Sequence, residues 1–339
     1  MIKTTLPKLL RNENLTQAEA ESAMTDIMGG SATPAQIGGY LIALRMKGET
    51  VDEITGSARA MRSHATKVTP TLPRNENLFD TAGTGGDGAG TFNVSTAAAF
   101  VVAGANRKVA KHGNRAASSA CGSADVLSAL GVNLDLTSDQ VAKCIDEIGI
   151  GFLFAPKFHP AMKHAVGPRK ELGQRTIFNV LGPLTNPAGA NQQLIGVYDP
   201  ALTEVIAKVF GELGGKAAFV VHGHGGLDEL TTTGTNRVSH LKDGKVTTFD
   251  LDPQSLGLTK ADASQLKGGT PDENAKIMRD LLGGDRNGAL KDVVLLNAAA
   301  AIAADSGDIT NGLVEAKKSL ESGVALAKLN ALVTASQKF

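Results

Sequence analysis

Polar capping residues and apolar runs alternate along the first 65 residues in a pattern that predicts helices alone. Three capping boxes follow one another. In each, a Thr hydroxyl caps the backbone N–H three residues on, while a Glu or Gln side chain reaches back. Residues 67–77, which contain Pro70 and Pro73, predict a linker or domain crossing. The boxes are Thr16 with Glu19, Thr33 with Gln36, and Thr50 with Glu53.

Short apolar runs of strand length begin at residue 78 and alternate with helical stretches. That alternation predicts a mostly parallel sheet covered by helices. The fold class is therefore α/β: a small helical domain over residues 1–68, joined by part of 160–190, and a large α/β domain over 69–339. Residues 155–192, rich in Pro and Gly, are predicted to be irregular. The predicted strands cover residues 78–81, 108–111, 150–154, 193–197 and 217–221, followed by a hairpin around Asp243-Gly244.

Two long apolar stretches, residues 97–105 and 293–304, are shorter than a membrane span requires and predict buried helices. Asn297 interrupts the second stretch. The N-terminal segment lacks the apolar core of a signal peptide, and Cys121 and Cys144 are too far apart for a CxxC site. We therefore expect a reduced, cytoplasmic setting and no membrane partner.

Charge balance limits the kinds of partner. The chain has 34 Lys and Arg against 34 Asp and Glu, so its formal net charge is zero. Proteins that hold a nucleic-acid backbone usually carry a basic surplus, so we expect no nucleic-acid partner. An anion site must therefore come from a local concentration of positive charge. The 39 glycines, beside only 4% aromatic residues, favour tight turns and close main-chain approach to a ligand.

The first candidate site is the loop Gly83-Thr84-Gly85-Gly86-Asp87-Gly88, which satisfies G-x-G-x-x-G and follows a predicted strand. A dinucleotide site would need an acidic residue about 20 positions later, but no Asp or Glu occurs between Gly88 and Ala124. The absence of G-K-[ST] also excludes a Walker loop. What remains is a glycine nest that offers backbone N–H groups to phosphate oxygens. The following acid-free stretch contains Arg107, Lys108, Lys111, His112 and Arg115.

The second candidate segment, residues 111–119 with 122–125, combines cationic side chains, hydroxyl groups and an amide. A phosphate and a ribose together need these groups, the first for charge-assisted bonds and the second for directional donors. The alternative interpretation is a polar helix N-terminus, but capping alone does not require Lys, His and Arg so close together.

The third candidate is the pair Asp228-Glu229 in a glycine-rich loop after a predicted strand. Adjacent carboxylates suit Mg²⁺ bound to a pyrophosphate, because Mg²⁺ prefers oxygen ligands and keeps several waters. His222 and His224 would suggest zinc instead, but no third ligand converges on them in the sequence.

The fourth candidate is the Pro- and Gly-rich stretch 167–187. Arg169 or Arg175 is suited to hold a substrate carboxylate, and either is also suited to a surface ion pair, which is the usual arrangement of an Arg beside a Glu. The residues alone leave these alternatives open.

Together these segments resemble anthranilate phosphoribosyltransferase. The resemblance covers essentially the whole chain, and the motif KHGNRAxSS followed by GSAD is its most specific part. Thymidine and pyrimidine nucleoside phosphorylases share the wider architecture but lack KHGNR. The matching motifs are GTGGDG at 83–88, TFNVST at 91–96, KHGNRAxSS at 111–119, GSAD at 122–125, RTIFNVLGPLTNP at 175–187 and LDELT at 227–231.

The resemblance implies a fold like that of nucleoside phosphorylases and phosphoribosyltransferases, with residues 69–339 binding the phosphoribosyl donor. The amine of anthranilate would displace pyrophosphate from C1 of 5-phosphoribosyl 1-pyrophosphate, a reaction of tryptophan biosynthesis. It also implies a Mg²⁺ cofactor and a homodimer joined through the helical domain.

The resemblance further implies roles for individual residues. Gly83, Asn114 and Arg169 would contact anthranilate, with His112 nearby. Ser95, Asp228 and Glu229 would bind Mg²⁺. The donor would contact Gly83, Gly86, Asp87, Thr91, Asn93, Ser95, Thr96, Lys111, His112, Gly113, Asn114, Arg115, Ala116, Ala117, Ser118, Ser119 and Ser123.

The groups present favour catalysis by positioning and electrostatics, since pyrophosphate develops negative charge as it leaves. The aromatic amine is already neutral at pH 7, so no residue is assigned as a general acid or base. Two alternatives stay open from the residues: a nucleoside phosphorylase, and a relative that binds nucleic acid without catalysis.

Overall fold

The structure is a computed structural model that describes residues 2–73, 76–86, 88–116 and 120–339. Its N-terminal part is helical, as predicted. All three predicted capping boxes are present, and Gly29 and Gly48 cap the C-termini of the second and third helices. These helices are α1 (Ile2–Leu10), α2 (Gln17–Met28), α3 (Pro34–Lys47) and α4 (Val51–His64).

Seven strands form one sheet in the order β3-β2-β1-β4-β5-β6-β7. The first five strands are parallel, and β6 and β7 add an antiparallel hairpin at one edge. Positive φ angles at Asp243 and Gly244 make the hairpin turn, as predicted. The strands are β1 (Leu78–Gly83), β2 (Lys108–Gly113), β3 (Ile150–Phe154), β4 (Gln192–Gly196), β5 (Ala217–His222), β6 (Asn236–Lys242) and β7 (Lys245–Leu251).

Helices cover both faces of the sheet. The two apolar stretches of the sequence form α5 and α13, both buried along nearly their whole length, as predicted. No helix of the described residues is long and apolar enough to cross a membrane. These helices are α5 (Val94–Gly104), α6 (Ser123–Ala129), α7 (Ser138–Ile148), α11 (Leu202–Glu212), α12 (Pro271–Leu282), α13 (Ala289–Ile302), α14 (Ile309–Glu321) and α15 (Val324–Ser336).

The prediction that residues 155–192 are irregular is wrong. The segment contains α8 (Ala155–Phe158), α9 (Lys163–Leu172) and α10 (Phe178–Leu184), and prolines lie inside α9 and α10. Proline disfavours a helix interior locally. Here Ala165 and Leu181 are fully buried against the N-terminal helices, so tertiary packing outweighs local propensity.

The hydrophobic core has two parts, one on each face of the sheet. Leu194 and Phe219 point to the face covered by α5 and α12–α15, whereas Ile195 and Val220 point to the face shared with α11 and the N-terminal helices. Arg62 of α4 also links the N-terminal helices to this second face, because its guanidinium donates to the carbonyls of Leu184 and Leu213. The helical region therefore packs against one face of the sheet.

Candidate active site

Three predicted site loops meet at the carboxyl edge of the parallel strands. The glycine loop follows β1, the segment after Gly113 follows β2, and the loop with Asp228 and Glu229 follows β5. Parallel strands that neighbour each other end at the same edge, which is where ligands bind in such sheets. Segments far apart in sequence are thus brought together by the topology.

The glycine loop needs glycine for two different reasons. Gly85 and Gly86 have φ of 67° and 76°, a conformation that residues with side chains rarely adopt. Gly83 instead lacks space, because a Cβ there would overlap the carboxylate of Asp228. Asp87, predicted to bind the donor, lies outside the described residues.

Asp228 and Glu229 both accept bonds from main-chain N–H groups of the candidate phosphate site. Gly85 N–H donates to Asp228 Oδ2 at 2.6 Å, and Ser95 N–H donates to Glu229 Oε1 at 3.0 Å. Ser95 lies in the first turn of α5, where N–H groups and the helix dipole favour an anion. The two carboxylates therefore accept hydrogen bonds from N–H groups that are also suited to phosphate oxygens.

The side chain of Asn93 is used within the protein. Its amide nitrogen donates to the carbonyl of Cys121 at 3.1 Å, and its Oδ1 accepts from Asn274 at 2.9 Å. Thr91 pairs with Lys267 in an antiparallel bridge. These contacts tie the end of the glycine loop to the second loop and to the segment before α12.

Thr96 departs from its neighbours, because its side chain is buried. Its Oγ1 has no hydrogen-bond partner among the described residues. The Thr96 hydroxyl is therefore withdrawn from the phosphate site, so a contact of Thr96 with the donor falls to its backbone N–H in the first turn of α5.

The loop after β2 folds back on the start of α6. Ser123 donates to the carbonyl of Asn114 at 3.2 Å, and Arg115 donates to Asp125 at 2.9 Å. Ala116 N–H also donates to Asp125, at 2.9 Å. A Cβ at position 113 would overlap the Ser123 hydroxyl, so glycine is required there. Ala117, Ser118 and Ser119, also predicted here, lie outside the described residues.

A buried polar network lies beneath these loops. Asp80 of β1 accepts from the N–H of His112 at 3.1 Å and from the side chain of Asn186 at 2.7 Å. Lys111 is also buried, and its Nζ donates to the carbonyl of His112 at 3.1 Å. Burial raises the pKa of Asp80 and lowers the pKa of Lys111, while their mutual attraction opposes both shifts.

His112 and His159 form a buried ring pair, with centroids 5.1 Å apart. Burial lowers the pKa of His159 to about 4 and the pKa of His112 well below its ordinary value. Both rings are therefore neutral at pH 7. The Nε2 atoms of both have no partner among the described residues.

Arg169 and Arg175 have different surroundings. The guanidinium of Arg169 lies 5.0 Å from the ring centroid of Phe178, and burial lowers its pKa. Arg175 donates to the carbonyl of Gly86 and stacks 4.2 Å from the ring centroid of Tyr198. Arg175 thus binds the glycine loop, which lies 89 positions away in the sequence.

Sequence reasoning missed several residues of the site. Asp80 carried a signal, since a charged residue in a fully buried parallel strand must be compensated. Asn186 lies in the motif at residues 175–187 but was not singled out there. His159, Tyr198 and Asn274 carried no signal, because only the fold brings them to the loops. The histidines proposed as a weak zinc alternative bond elsewhere: His222 with the carbonyl of Val197 and His224 with the hydroxyl of Thr233.

Comparison with known proteins supports a single family. The glycosyl transferase family matches in two parts, its helical bundle domain over residues 3–65 and its a/b domain over residues 75–326. An anthranilate phosphoribosyltransferase of Moorella thermoacetica is 55% identical, with 98% of each chain covered.

Solved structures agree. The chain is similar to anthranilate phosphoribosyltransferase from Thermus thermophilus, with a TM-score of 0.92, 44% identity, and coverage of 98% of this chain and 99% of that one. It is also similar to the Saccharomyces cerevisiae enzyme in complex with PRPP and Mg, with a TM-score of 0.91, 32% identity, and coverage of 100% and 98%. That yeast enzyme also has a structure in complex with 4-fluoroanthranilate.

The chain belongs to the anthranilate phosphoribosyltransferase family. As a member, it transfers the 5-phosphoribosyl group of 5-phosphoribosyl 1-pyrophosphate to the amine of anthranilate in tryptophan biosynthesis. The fold expected from the resemblance, a helical N-terminal domain with a large, mostly parallel α/β domain, is confirmed.

Proposed function

We propose that the three loops at the carboxyl edge of the sheet divide the reaction between them. The glycine loop and the N-terminus of α5 bind the pyrophosphate, the loop after β2 binds the ribose phosphate, and Arg169 faces anthranilate. One observation carries this proposal. Asp228 and Glu229, from a single loop, accept hydrogen bonds from the N–H groups of Gly85 and Ser95. Carboxylates suited to bind a metal ion therefore lie beside N–H groups suited to bind phosphate.

Donor binding rests mainly on main-chain groups and local charge. Positive φ at Gly85 and Gly86 turns the loop into a shape that can present successive N–H groups to an anion. Lys111 is buried, which lowers its pKa, while the nearby carboxylates of Asp80, Glu229 and Asp228 favour its charged form. The proposed donor contacts are Gly83, Gly86, Asp87, Thr91, Asn93, Ser95, Thr96, Lys111, His112, Gly113, Asn114, Arg115, Ala116, Ala117, Ser118, Ser119 and Ser123.

The residues present fit Mg²⁺. Glu229 Oε1 lies beside the first turn of α5 at Ser95, and Asp228 lies at the glycine loop, so oxygen ligands flank the proposed pyrophosphate site. When bound, Mg²⁺ neutralises charge on pyrophosphate oxygens. We propose Ser95, Asp228 and Glu229 as its protein ligands.

The acceptor site is proposed at Gly83, Asn114 and Arg169, with His112 beside it. A guanidinium fork fixes both the charge and the orientation of the anthranilate carboxylate. The neutral ring of His112 adds no competing positive charge there. Because the amine is neutral at pH 7, the chain's task is to orient it toward C1 and exclude water, and no general base is assigned.

We also propose that the helical domain comprises residues 1–68 with part of 160–190, and that the α/β domain comprises residues 69–339. The chain forms a homodimer through that domain, where Leu10 and Met46 expose large apolar side chains. The setting is cytoplasmic, consistent with two buried, free cysteines.

A fluorescence assay of anthranilate consumption tests the metal assignment. With the donor and limiting Mg²⁺, the double variant Asp228→Asn with Glu229→Gln should lose turnover by at least about 100-fold, because it removes both negative ligands. The matched control is Asp243→Asn, which neutralises an exposed hairpin carboxylate and should leave turnover intact. Unchanged turnover in a folded double variant would rule out the assignment.

A further inference from the structure

Asn297 is the polar exception in an apolar helix. It lies in α13, where every residue from Val293 to Ile302 is buried, and it is 1% exposed itself. A buried amide without partners costs free energy, so the position needs specific hydrogen bonds.

Its hydrogen bonds hold one residue by both main-chain groups. Asn297 Oδ1 accepts from Leu230 N–H at 3.0 Å, and Asn297 Nδ2 donates to the carbonyl of Leu230 at 2.8 Å. The second amide proton goes to the carbonyl of Val293 at 2.8 Å. Leu230 directly follows Glu229, so the clamp fixes the main chain next to the carboxylate pair.

A second buried amide repeats the arrangement one residue further on. Asn236 Oδ1 accepts from Thr231 N–H at 2.8 Å, and Asn236 Nδ2 donates to the carbonyl of Thr231 at 3.0 Å. Asn236 belongs to β6, so the loop is held from a helix and from a strand. Two successive peptide units after Glu229 are therefore fixed to different elements of the core.

We propose that Asn297 is a positioning residue for the carboxylates of Asp228 and Glu229. This inference rests on the metal site of the proposed function. Glu229 reaches the first turn of α5 only if its own main chain is held at the right place and orientation. Partners that orient metal ligands commonly change metal affinity about 10- to 100-fold when mutated.

The test compares Asn297→Leu with Leu295→Ala. Leucine keeps the volume but leaves both main-chain groups of Leu230 unpaired. Leu295 is equally buried on the opposite side of the same helix, so its truncation destabilises the core without touching the loop. Mg²⁺ is titrated calorimetrically with inorganic pyrophosphate present, and amide hydrogen exchange is followed at Leu230.

Asn297→Leu should weaken Mg²⁺ binding about 10- to 100-fold and accelerate exchange at Leu230. Leu295→Ala should lower Tm and leave the Mg²⁺ affinity unchanged, and it should accelerate exchange at Leu230 no more than at other core amides. If Asn297→Leu does not fold, Asn297→Ala serves, since it removes the same bonds with less crowding. A folded variant with wild-type Mg²⁺ affinity would overturn the inference, provided that Asp228→Asn with Glu229→Gln abolishes binding. If that double variant also binds normally, the metal assignment itself is wrong.

Discussion

Two arginines of the same segment have different neighbours, and this separates their tasks. Arg169 lies over the ring of Phe178, whereas Arg175 holds the carbonyl of Gly86 and stacks on Tyr198. The first contact leaves the guanidinium fork for a ligand, and the second uses it to hold the glycine loop. Acceptor and donor binding should therefore respond to different substitutions.

Arg169→Ala should raise the KM for anthranilate about 10- to 150-fold, the equivalent of a charge-assisted bond worth roughly 1.5–3 kcal/mol. The KM for the phosphoribosyl donor should change little. Arg175→Ala should instead raise the KM for the phosphoribosyl donor and change the KM for anthranilate little, because it releases the glycine loop. Steady-state measurement of both KM values in each variant decides the matter. Loss of anthranilate affinity in the Arg175 variant alone would contradict the alignment of this segment.

Capping boxes that are alike in sequence differ in what surrounds them. Glu53 caps α4, accepts from Leu15 N–H at 2.9 Å and pairs with Lys47 at 2.9 Å, and both charged side chains are almost fully buried. Glu273 caps α12 at the surface. The capping box therefore stabilises the start of α12 by capping alone, whereas at the start of α4 a buried ion pair adds to it.

Glu53→Ala should lower the free energy of unfolding by about 3–5 kcal/mol, because it leaves the buried Lys47 ammonium with the neutral acceptors Asn14 and Gly48 and no carboxylate. Glu273→Ala removes an equivalent capping contact in solvent and should cost much less. Urea denaturation of both variants provides the comparison. Equal losses would show that the capping box, and not the buried pair, accounts for the effect.

The stability of the whole molecule should depend on pH through its buried histidines. Burial lowers the pKa of His159 from 6.5 to about 4, and the pKa of His112 is lowered in the same direction. Below pH 6.5 the unfolded chain binds protons that the folded chain does not. Stability is therefore complete above that pH and is lost progressively as pH falls toward 4.

For His159 alone, this shift corresponds to roughly 3 kcal/mol of unfolding free energy between pH 7 and pH 4. Urea denaturation at a series of pH values should show the decline. His159→Gln, which cannot titrate, should make the profile flatter in that window. A profile of unchanged slope would mean that other groups control acid unfolding.

Local features of the sequence determined most of the elements. Capping boxes, apolar runs and the Asp243-Gly244 turn act within a few residues, so the N-terminal helices, the strand positions and the hairpin were all predicted. The glycine loop and the basic segment after β2 were recognisable for the same reason, because each concentrates its chemistry in one stretch.

Only the tertiary structure decided how distant residues meet. Gly85 and Asp228 are joined by a hydrogen bond across 143 positions, and Asn297 holds Leu230 across 67. The helices of residues 155–192 also escaped prediction, since burial against the N-terminal helices outweighs their prolines and glycines. Spacing along a chain reports short-range propensity. Which main-chain group receives a buried amide or carboxylate depends on the order of strands in the sheet and on the packing of helices against it.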